Sequence, residues 1–198
     1  MMSSVKVFLE TERLLLRRFT EADLDDLVAL DSDPEVMRFL TGGAPTPREK
    51  IRDEVLPRIL RDYRRSPRQG RWAAEEKSSG EFLGWFGLRQ RPETKRGEMA
   101  LGYRLRKSAW GKGYATEGLI ALIDLCFTKL DIQRVFAETM AVNVASRRVM
   151  EKAGMRLART FHPTWDDPID GSELGEVEYE LLKADWERRL QAERGREP

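Results

Sequence analysis

Short apolar-rich segments along the chain predict β-strands, and the first of them alternates polar and apolar residues with a two-residue period. The predicted strands span 12–19, 71–77, 81–89, 98–106, 133–140, 155–161 and 176–182. Because Ser78-Ser79-Gly80 alone separates the second strand from the third, these two are expected to form an antiparallel hairpin.

Other segments carry apolar residues at helical spacing or signals that start and stop a helix. Helices are predicted over 20–31, 33–39, from 46 to beyond 60, 113–130 and 143–153. Thr20 is the expected N-cap of the first helix, and Gly154 is the expected C-cap of the last. Pro57 predicts a break or kink in the third, because proline has no backbone N–H to donate. The 113–130 helix is apolar on a wide face, which predicts burial.

The order of these elements predicts an α+β fold with a single mixed, mostly antiparallel sheet flanked by helices on both faces. The strands before residue 107 favour antiparallel pairing, and the later strand–helix–strand units favour a parallel or splayed pairing. No internal repeat or low-complexity linker marks a second domain. We expect one domain over 10–190 and a polar tail over 191–198.

The charge balance excludes a general electrostatic attraction to nucleic acid or membranes. Lys and Arg number 35 and Asp and Glu 34, so the net charge is +1. Neither DNA nor a membrane is therefore an expected partner. The densest basic stretch, 58–71, is interpreted as a solvated face, with a contact surface for RNA, a ribosome or an acidic partner as the alternative.

Cysteine and histidine usage points to a protein without a metal in a reducing compartment. Cys126 is the single cysteine, and no Cys/His cluster has metal-ligand spacing. The first ten residues lack the apolar core of a signal peptide, and the strongly apolar stretch 118–127 is too short to span a bilayer. The expected location is the cytoplasm.

A glycine turn between a predicted strand and a predicted helix is the candidate ligand site. It reads Trp110-Gly111-Lys112-Gly113-Tyr114-Ala115-Thr116. Its two glycines let backbone N–H groups converge on an anion, and the positive end of the helix dipole adds to the attraction. The turn lacks the spacing of the Walker motif, and Thr116 stands where a dinucleotide motif requires a third small residue. A phosphate-bearing ligand of another kind is predicted.

Two separated motifs resemble the GNAT superfamily of N-acetyltransferases. The first is Tyr103-Arg104-Leu105 followed by the glycine turn, and the second is Asn143-Val144-Ala145-Ser146-Arg147-Arg148-Val149-Met150-Glu151-Lys152-Ala153-Gly154-Met155. The opening Glu12-Arg13-Leu14-Leu15-Leu16-Arg17 is similar to the subgroup typified by the ribosomal-protein serine and alanine N-terminal acetyltransferases. The resemblance covers about residues 10 to 188 and implies the GNAT fold, with its central strands splayed.

The resemblance further implies acetyl-CoA as co-substrate, without a metal. The glycine turn would bind the pyrophosphate, and the preceding strand would lend backbone groups to the pantetheine arm. The implied cofactor-binding residues are Tyr103, Arg104, Leu105, Arg106, Trp110, Gly111, Lys112, Gly113, Tyr114, Ala115, Thr116, Asn143 and Ser146. Lys112 and Arg106 are expected to add positive charge.

The chain departs from the family pattern at two positions where relatives titrate. Met150 occupies the place of a tyrosine that protonates the thiolate, so Ser146, one helical turn earlier, becomes the candidate proton donor. Ala100 occupies the place of a carboxylate, so Glu98 and Glu138 become the candidates that orient a water near the amine. The plainer interpretations are a packing role for Ser146 and solvent-facing positions for both glutamates.

The acceptor implied by the resemblance is a primary amine, with a protein N-terminus as the leading hypothesis. A polyamine, aminoglycoside or amino acid is the alternative, and a polycation would need an acidic rim, for which Asp31, Asp33 and Glu35 are candidates. A CoA-binding module without turnover and an RNA- or ribosome-bound interaction protein that uses the 58–71 stretch are kept as further hypotheses, and a peptide contact is kept as a further alternative. A homodimer is also expected.

Overall fold

Eight strands form one sheet within the residues that the computed structural model describes, 6–91 and 94–195. In chain order they are β1 (Val7–Glu10), β2 (Leu14–Arg18), β3 (Gly70–Glu76), β4 (Phe82–Arg89), β5 (Glu98–Leu105), β6 (Arg134–Met140), β7 (Arg156–Phe161) and β8 (Glu176–Leu182). The spatial order is β1-β2-β3-β4-β5-β6-β8-β7. The predicted α+β class with one mixed sheet is confirmed.

The single parallel pairing in this sheet joins β5 to β6 over three residue pairs, from Glu98–Arg134 to Ala100–Phe136. All other neighbouring strands of the described sheet are antiparallel. Beyond Ala100 the two central strands no longer pair, although β5 stays paired with β4 as far as Leu105. The predicted splay is therefore present, and it opens toward the C-terminal ends of β5 and β6.

Seven α-helices within the described residues surround the sheet. They are α1 (Leu24–Ser32), α2 (Pro34–Thr41), α3 (Arg48–Lys50), α4 (Leu56–Arg65), α5 (Tyr114–Lys129), α6 (Val144–Lys152) and α7 (Lys183–Arg194). A π-helical turn, Ile51–Val55, joins α3 to α4, and Pro57 lies in the first turn of α4. The predicted irregularity near Pro57 thus takes the form of a widened, π-helical turn just before the proline.

The sheet has two distinct faces, set by the alternation of side chains along each strand. One face packs against α5, and close contact is possible there because Gly118 has no side chain. A Cβ on Gly118 would lie 2.3 Å from Cζ of Phe86. Leu119, Leu122 and Cys126 of the same helix are fully buried, each leucine contributing about 2 kcal/mol of hydrophobic stabilisation.

The opposite face is called here the cleft face, and small residues lie at its centre. The register places Arg71, Gly87 and Gly102 in one row across β3, β4 and β5. Ala100 and Phe136 lie in the next row toward β6. Because Gly87 and Gly102 lack side chains, Trp85 and the Arg71 stem can lie close to the sheet beside the point where β5 and β6 begin to diverge.

Two elements were not predicted from the sequence. Strand β1 precedes the first predicted strand, and Phe8 stacks on Trp72 with ring centroids 3.7 Å apart. Helix α7 continues to Arg194, so residues 191–194 of the predicted tail are helical, and the last three residues lie outside the described part. Trp186 attaches α7 to α5 by donating its indole N–H to Asp124 Oδ1 at 2.9 Å. Among the described helices, none combines the length and the apolar character that crossing a membrane would require.

Candidate functional site

A cleft of about 1080 Å³ follows the divergence of β5 and β6. Along residues 101–105 the edge of β5 that faces β6 has no strand partner, so its backbone groups are available to an extended ligand. Ala100 and Gly102 lie on its floor, and α6 lines it through Asn143, Ser146 and Val149. The first predicted motif and the second therefore meet across one cleft.

The glycine turn lies at one end of this cleft, after β5. Gly111 and Gly113 have φ angles of 73° and 86°, a left-handed conformation that favours glycine. No side chain caps the N-terminus of α5, and the first helical bond at this end runs from the Glu117 N–H to the Gly113 carbonyl at 3.0 Å. The preceding amides of the first turn are free to donate to an anion, as expected of a phosphate site.

Arg13 supports the glycine turn and is not part of the cleft lining. Its guanidinium donates to the Lys112 carbonyl at 2.9 Å and to Glu117 Oε2 at 2.7 Å, and it lies over the Tyr114 ring. Glu117 also accepts from Thr11 Oγ1 at 2.5 Å. Burial opposes ionisation of Glu117, but the hydrogen bonds from Thr11 and Arg13 outweigh it and lower its pKa. The opening motif is thereby tied to the helix start.

Two hydroxyl groups meet where the cleft passes between β5 and α6. Tyr103 Oη and Ser146 Oγ are 3.0 Å apart, and either can be the donor. The Ser146 N–H donates to Asn143 Oδ1 at 3.1 Å, which makes Asn143 the N-cap of α6. Burial raises the pKa of Tyr103 to about 12, so the phenol keeps its proton at neutral pH. The Tyr103 side chain was missed by the sequence analysis, which assigned only its backbone.

The carboxylates proposed from the sequence lie in different places. Glu138 lines the cleft and accepts from the Arg91 guanidinium. Glu98 does not line it. Instead, its Oε2 lies 3.5 Å from Arg134 Nη1, at the paired end of β5 and β6. The structure therefore does not bring Glu98 to the divergence of the strands.

Glu176, at the start of β8, is a second cleft carboxylate, and the sequence analysis missed it. Burial raises the pKa of Glu176, the charge of Glu138 raises it further, and Arg91 opposes both. Its position depends on how β8 pairs with β6, which brings Glu176 opposite Met140. No local sequence signal would have identified it.

The remaining predicted residues surround the turn at differing distances from the cleft. Leu105, Trp110, Ala115 and Thr116 line it, and the Trp110 indole N–H donates to the Leu105 carbonyl at 2.8 Å. Tyr114 is buried with its hydroxyl donating to Glu76. The Arg106 guanidinium donates to Glu81 at 2.6 Å, and Arg106 lines a separate cavity of about 240 Å³. Lys112 is exposed and outside the cleft lining.

Of the three acidic residues predicted as a rim for a cationic acceptor, two are hydrogen-bonded within the protein. Asp31 is buried and accepts from the Arg104 guanidinium, and Asp33 caps α2 by accepting from the Glu35 N–H at 2.9 Å. Glu35 alone of the three lines the cleft. In the described part of the chain, no group of three or more His, Cys, Asp or Glu residues is placed to hold a metal ion.

A free strand edge that leads into an uncapped helix start is the arrangement expected of a transferase that takes an acyl group from CoA. A family model for the acetyltransferase (GNAT) domain matches residues 13–156. A relative from Aspergillus fumigatus named FsC-acetyl coenzyme A-N(2)-transacetylase is 34% identical over 187 residues, covering 91% of this chain and 78% of the relative. The chain belongs to the GNAT family and is an acetyl-CoA-dependent N-acetyltransferase.

Solved structures of family members share the fold. A ribosomal L7/L12 alpha-N-protein acetyltransferase in complex with coenzyme A aligns with a TM-score of 0.73 at 18% identity, over 89% of this chain and 98% of that one. A spermidine N-acetyltransferase from Vibrio cholerae in complex with CoA and spermine aligns with a TM-score of 0.71 at 15% identity. The alignment covers 89% of this chain and 99% of that one. Because their named acceptors differ, these likenesses do not extend to the substrate.

Proposed function

We propose that this enzyme transfers acetyl from acetyl-CoA directly to a primary amine that binds on the cleft face of the sheet. The observation that carries the proposal is the unpaired edge of β5 at residues 101–105, which leads to the free amides of the glycine turn. The edge would pair with the pantetheine arm as an added strand would, and the amides from Gly113 to Thr116 would receive the pyrophosphate.

Positive charge for the CoA phosphates would come from α6. Arg148 and Lys152 both line the cleft, and at a spacing of four residues they lie on one face of that helix. Arg106 is engaged with Glu81, and Lys112 lies outside the cleft lining. We therefore assign this electrostatic role to Arg148 and Lys152 in place of the two residues expected from the sequence.

Ser146 would protonate the departing thiolate. It lies on the α6 wall of the cleft, and the hydroxyl contact with Tyr103 can resupply its proton. The two hydroxyls together would take the place of the family tyrosine that Met150 replaces. Met150 itself is buried, which fits a packing role.

Glu176 would accept the proton of the attacking amine, directly or through a water. A carboxylate whose pKa is raised by burial is a stronger base, and Glu176 shares the cleft face with Glu138. Glu138 would hold Arg91 and, through its charge, keep the pKa of Glu176 high. Glu98 has no part in this proposal because it lies outside the cleft.

The lining of the cleft disfavours a polycationic acceptor. Asp31 and Asp33 are engaged within the protein. Four carboxylates line the cleft, but basic side chains outnumber them there, and Arg58, Arg71 and Arg89 are among these. A polyamine or aminoglycoside would bring several positive charges next to these guanidinium groups. A peptide N-terminus or an amino acid is the acceptor class that this surface supports better.

The test is CoA release from acetyl-CoA with a panel of N-terminal peptides, amino acids, polyamines and aminoglycosides. We expect amine-dependent release and an N-acetyl product with peptides or amino acids, and little with the polycations. Ser146→Ala should lower kcat about 10²-fold and leave the Kd for acetyl-CoA unchanged, since the serine acts on the thiolate. Ser32→Ala, in an exposed serine of α1, is the matched control.

Tight acetyl-CoA binding without release for any amine would overturn the proposal. Such a result would favour a CoA-binding module without turnover. Normal kcat in Ser146→Ala would refute the assignment of the proton donor alone.

A further inference from the structure

Arg71 lies on the cleft face, and its guanidinium stacks on a tryptophan ring. It stands on β3 beside Gly87 of β4 and lines the cleft that Gly102 also lines. Its guanidinium lies over the Trp85 ring, 4.7 Å from the centroid. A Cβ on Gly87 would lie 3.4 Å from Arg71 Cγ, so the missing side chain of this glycine leaves room for the arginine stem.

No carboxylate among the described residues is bonded to this guanidinium. The charge of Asp31 favours the charged form of Arg71, but Asp31 already accepts a hydrogen bond from Arg104. Asp62 lines the same cleft from α4, but no ion pair joins it to Arg71 within the described residues. Two other half-buried arginines of this face differ from Arg71 in this respect. Arg91 and Arg104 each have a carboxylate partner. Arg71 is thus a partly enclosed cation whose guanidinium donates no hydrogen bond to the part of the chain that the structure describes.

The surroundings of Arg71 add positive charge. Burial is the main cause that lowers its pKa, to about 10, and neighbouring guanidinium groups contribute. These groups belong to Arg104, Arg58 and Arg89. At neutral pH the Arg71 side chain remains charged. Four guanidinium groups therefore lie near one another, and Asp31 is the carboxylate whose charge offsets them at Arg71. A site of this kind has unfavourable self-energy that a bound anion would relieve.

Trp85 holds the guanidinium in place before any ligand binds. The same indole ring contacts Arg71 and, at 5.5 Å from the centroid, Arg104. Tyr63 fixes the local backbone by donating its hydroxyl to the Arg71 carbonyl. A planar guanidinium held by stacking has lost much of its freedom already and can offer two parallel N–H donors to a carboxylate or phosphate.

We propose that the acceptor amine carries an anionic group, in the simplest case a carboxylate, which binds to Arg71. This inference rests on the proposed transfer of acetyl to an amine on the cleft face. Arg71 is two strands away from Gly102, a distance of about 10 Å from the β5 edge where the thioester would lie. The guanidinium reaches over Trp85 of β4 toward β5 and so shortens this span. An amine and an anion less than about 10 Å apart, as in amino acids and short peptides, can then bridge it.

Steady-state kinetics with paired acceptors test the inference. The pairs are 3-aminopropanoate, 4-aminobutanoate and 6-aminohexanoate, each against its carboxamide, with 3-aminopropylphosphonate as a second anion. We expect the wild-type enzyme to prefer the acids, and Arg71→Gln to raise their KM at least about tenfold with little change for the amides. Arg64→Gln, an exposed α4 arginine outside the cleft lining, is the matched control.

A binding measurement separates this inference from the proposed reaction. Calorimetric titration with N-acetyl-3-aminopropanoate and its carboxamide needs no turnover, and we expect wild type to prefer the acid and Arg71→Gln to lose that preference. Retained preference in a folded Arg71→Gln, or equal affinity of wild type for both, would overturn the anion site. If no amine is acetylated but the acid binds through Arg71, the reaction proposal fails and the anion site stands. A preference for the phosphonate would identify phosphate as the anion.

Discussion

Glu176 is a cleft carboxyl whose environment favours the protonated form. Its pKa is raised by burial first and by the nearby charge of Glu138 second. A general base works only when deprotonated, so kcat should fall as the pH falls through this raised pKa. The acid limb of the pH profile should therefore lie above the ordinary carboxyl range of about 4.

Glu176→Gln tests this role. We expect kcat to fall about 10²-fold and the acid limb to disappear from the profile, because the glutamine cannot titrate. Glu173→Gln changes an exposed glutamate of the same segment and should leave the profile unchanged. An acid limb that persists in Glu176→Gln at the same pH would assign the titration to another group.

Ala100 shows how a single residue changes the interpretation of its neighbours. From the sequence it marked a missing carboxylate, and Glu98 was chosen because it lies on the same strand face. In the structure Ala100 is part of the cleft floor, and Glu98 lies beside Arg134 where β5 and β6 are still paired. Side-chain alternation along β5 correctly placed Glu98 and Ala100 on the same face of the sheet. Which of them reaches the cleft depends on where β5 and β6 diverge.

At the scale of elements, the start of α5 is supported by the segment that precedes β2. Arg13 and Thr11 converge on Glu117, and Arg13 also binds the Lys112 carbonyl inside the turn. These contacts fix the direction of the free amides before a ligand arrives. In the sequence alone the opening motif is a family resemblance without a physical role, because the contact that gives it one spans about a hundred residues of chain.

Glu117→Gln should weaken acetyl-CoA binding without removing the glycines. The loss of charge-assisted bonds to Arg13 loosens the turn, and we expect the calorimetric Kd to rise about tenfold. Glu10→Gln, in an exposed glutamate of β1 paired with Lys77, is the matched control. Unchanged Kd in Glu117→Gln would show that the turn holds its shape without this support.

Elements with strong local signals were predicted well, and those defined by long-range contacts were not. The buried stripe of α5 and the Gly154 end of α6 are local features, and both helices lie close to their predicted bounds. Strand β1 is four residues long and half exposed, so its pattern is too weak to recognise. Helix α7 has no buried residue and attaches mainly through Trp186.

At the scale of the whole molecule, the sequence alone could predict the donor side of the site and not the acceptor side. The glycine turn and the segment from Asn143 to Gly154 are each continuous in sequence, so their motifs carry the expectation of CoA. The proposed acceptor side draws on β3, β4, β8 and the helices before β3, and it can be inferred only when strand order and register are known. Arg71 and Glu176 both lie on this proposed acceptor side.

A buried ion cluster connects the N-terminal part of the fold to the centre of the sheet. Arg17 on β2 binds Asp23 at 2.7 Å and Glu75 of β3 at 2.6 Å, and Asp23 also accepts from the Thr20 N–H at 2.6 Å. Burial opposes ionisation of Asp23, but its bonds to Arg17 and Thr20 outweigh that effect and lower its pKa. Removing one partner would leave an uncompensated buried charge.

Asp23→Asn should lower the free energy of unfolding at pH 7 by about 3 kcal/mol. Because the folded-state pKa is below the unfolded value of about 4, this stabilisation is complete above that value and is lost as the pH falls through the folded pKa. The difference between wild type and Asp23→Asn in urea unfolding should therefore shrink below about pH 4. Asp25→Asn breaks an exposed ion pair with Arg48 and should change stability by less than about 1 kcal/mol. Equal effects of the two variants would contradict a buried, energetically coupled cluster.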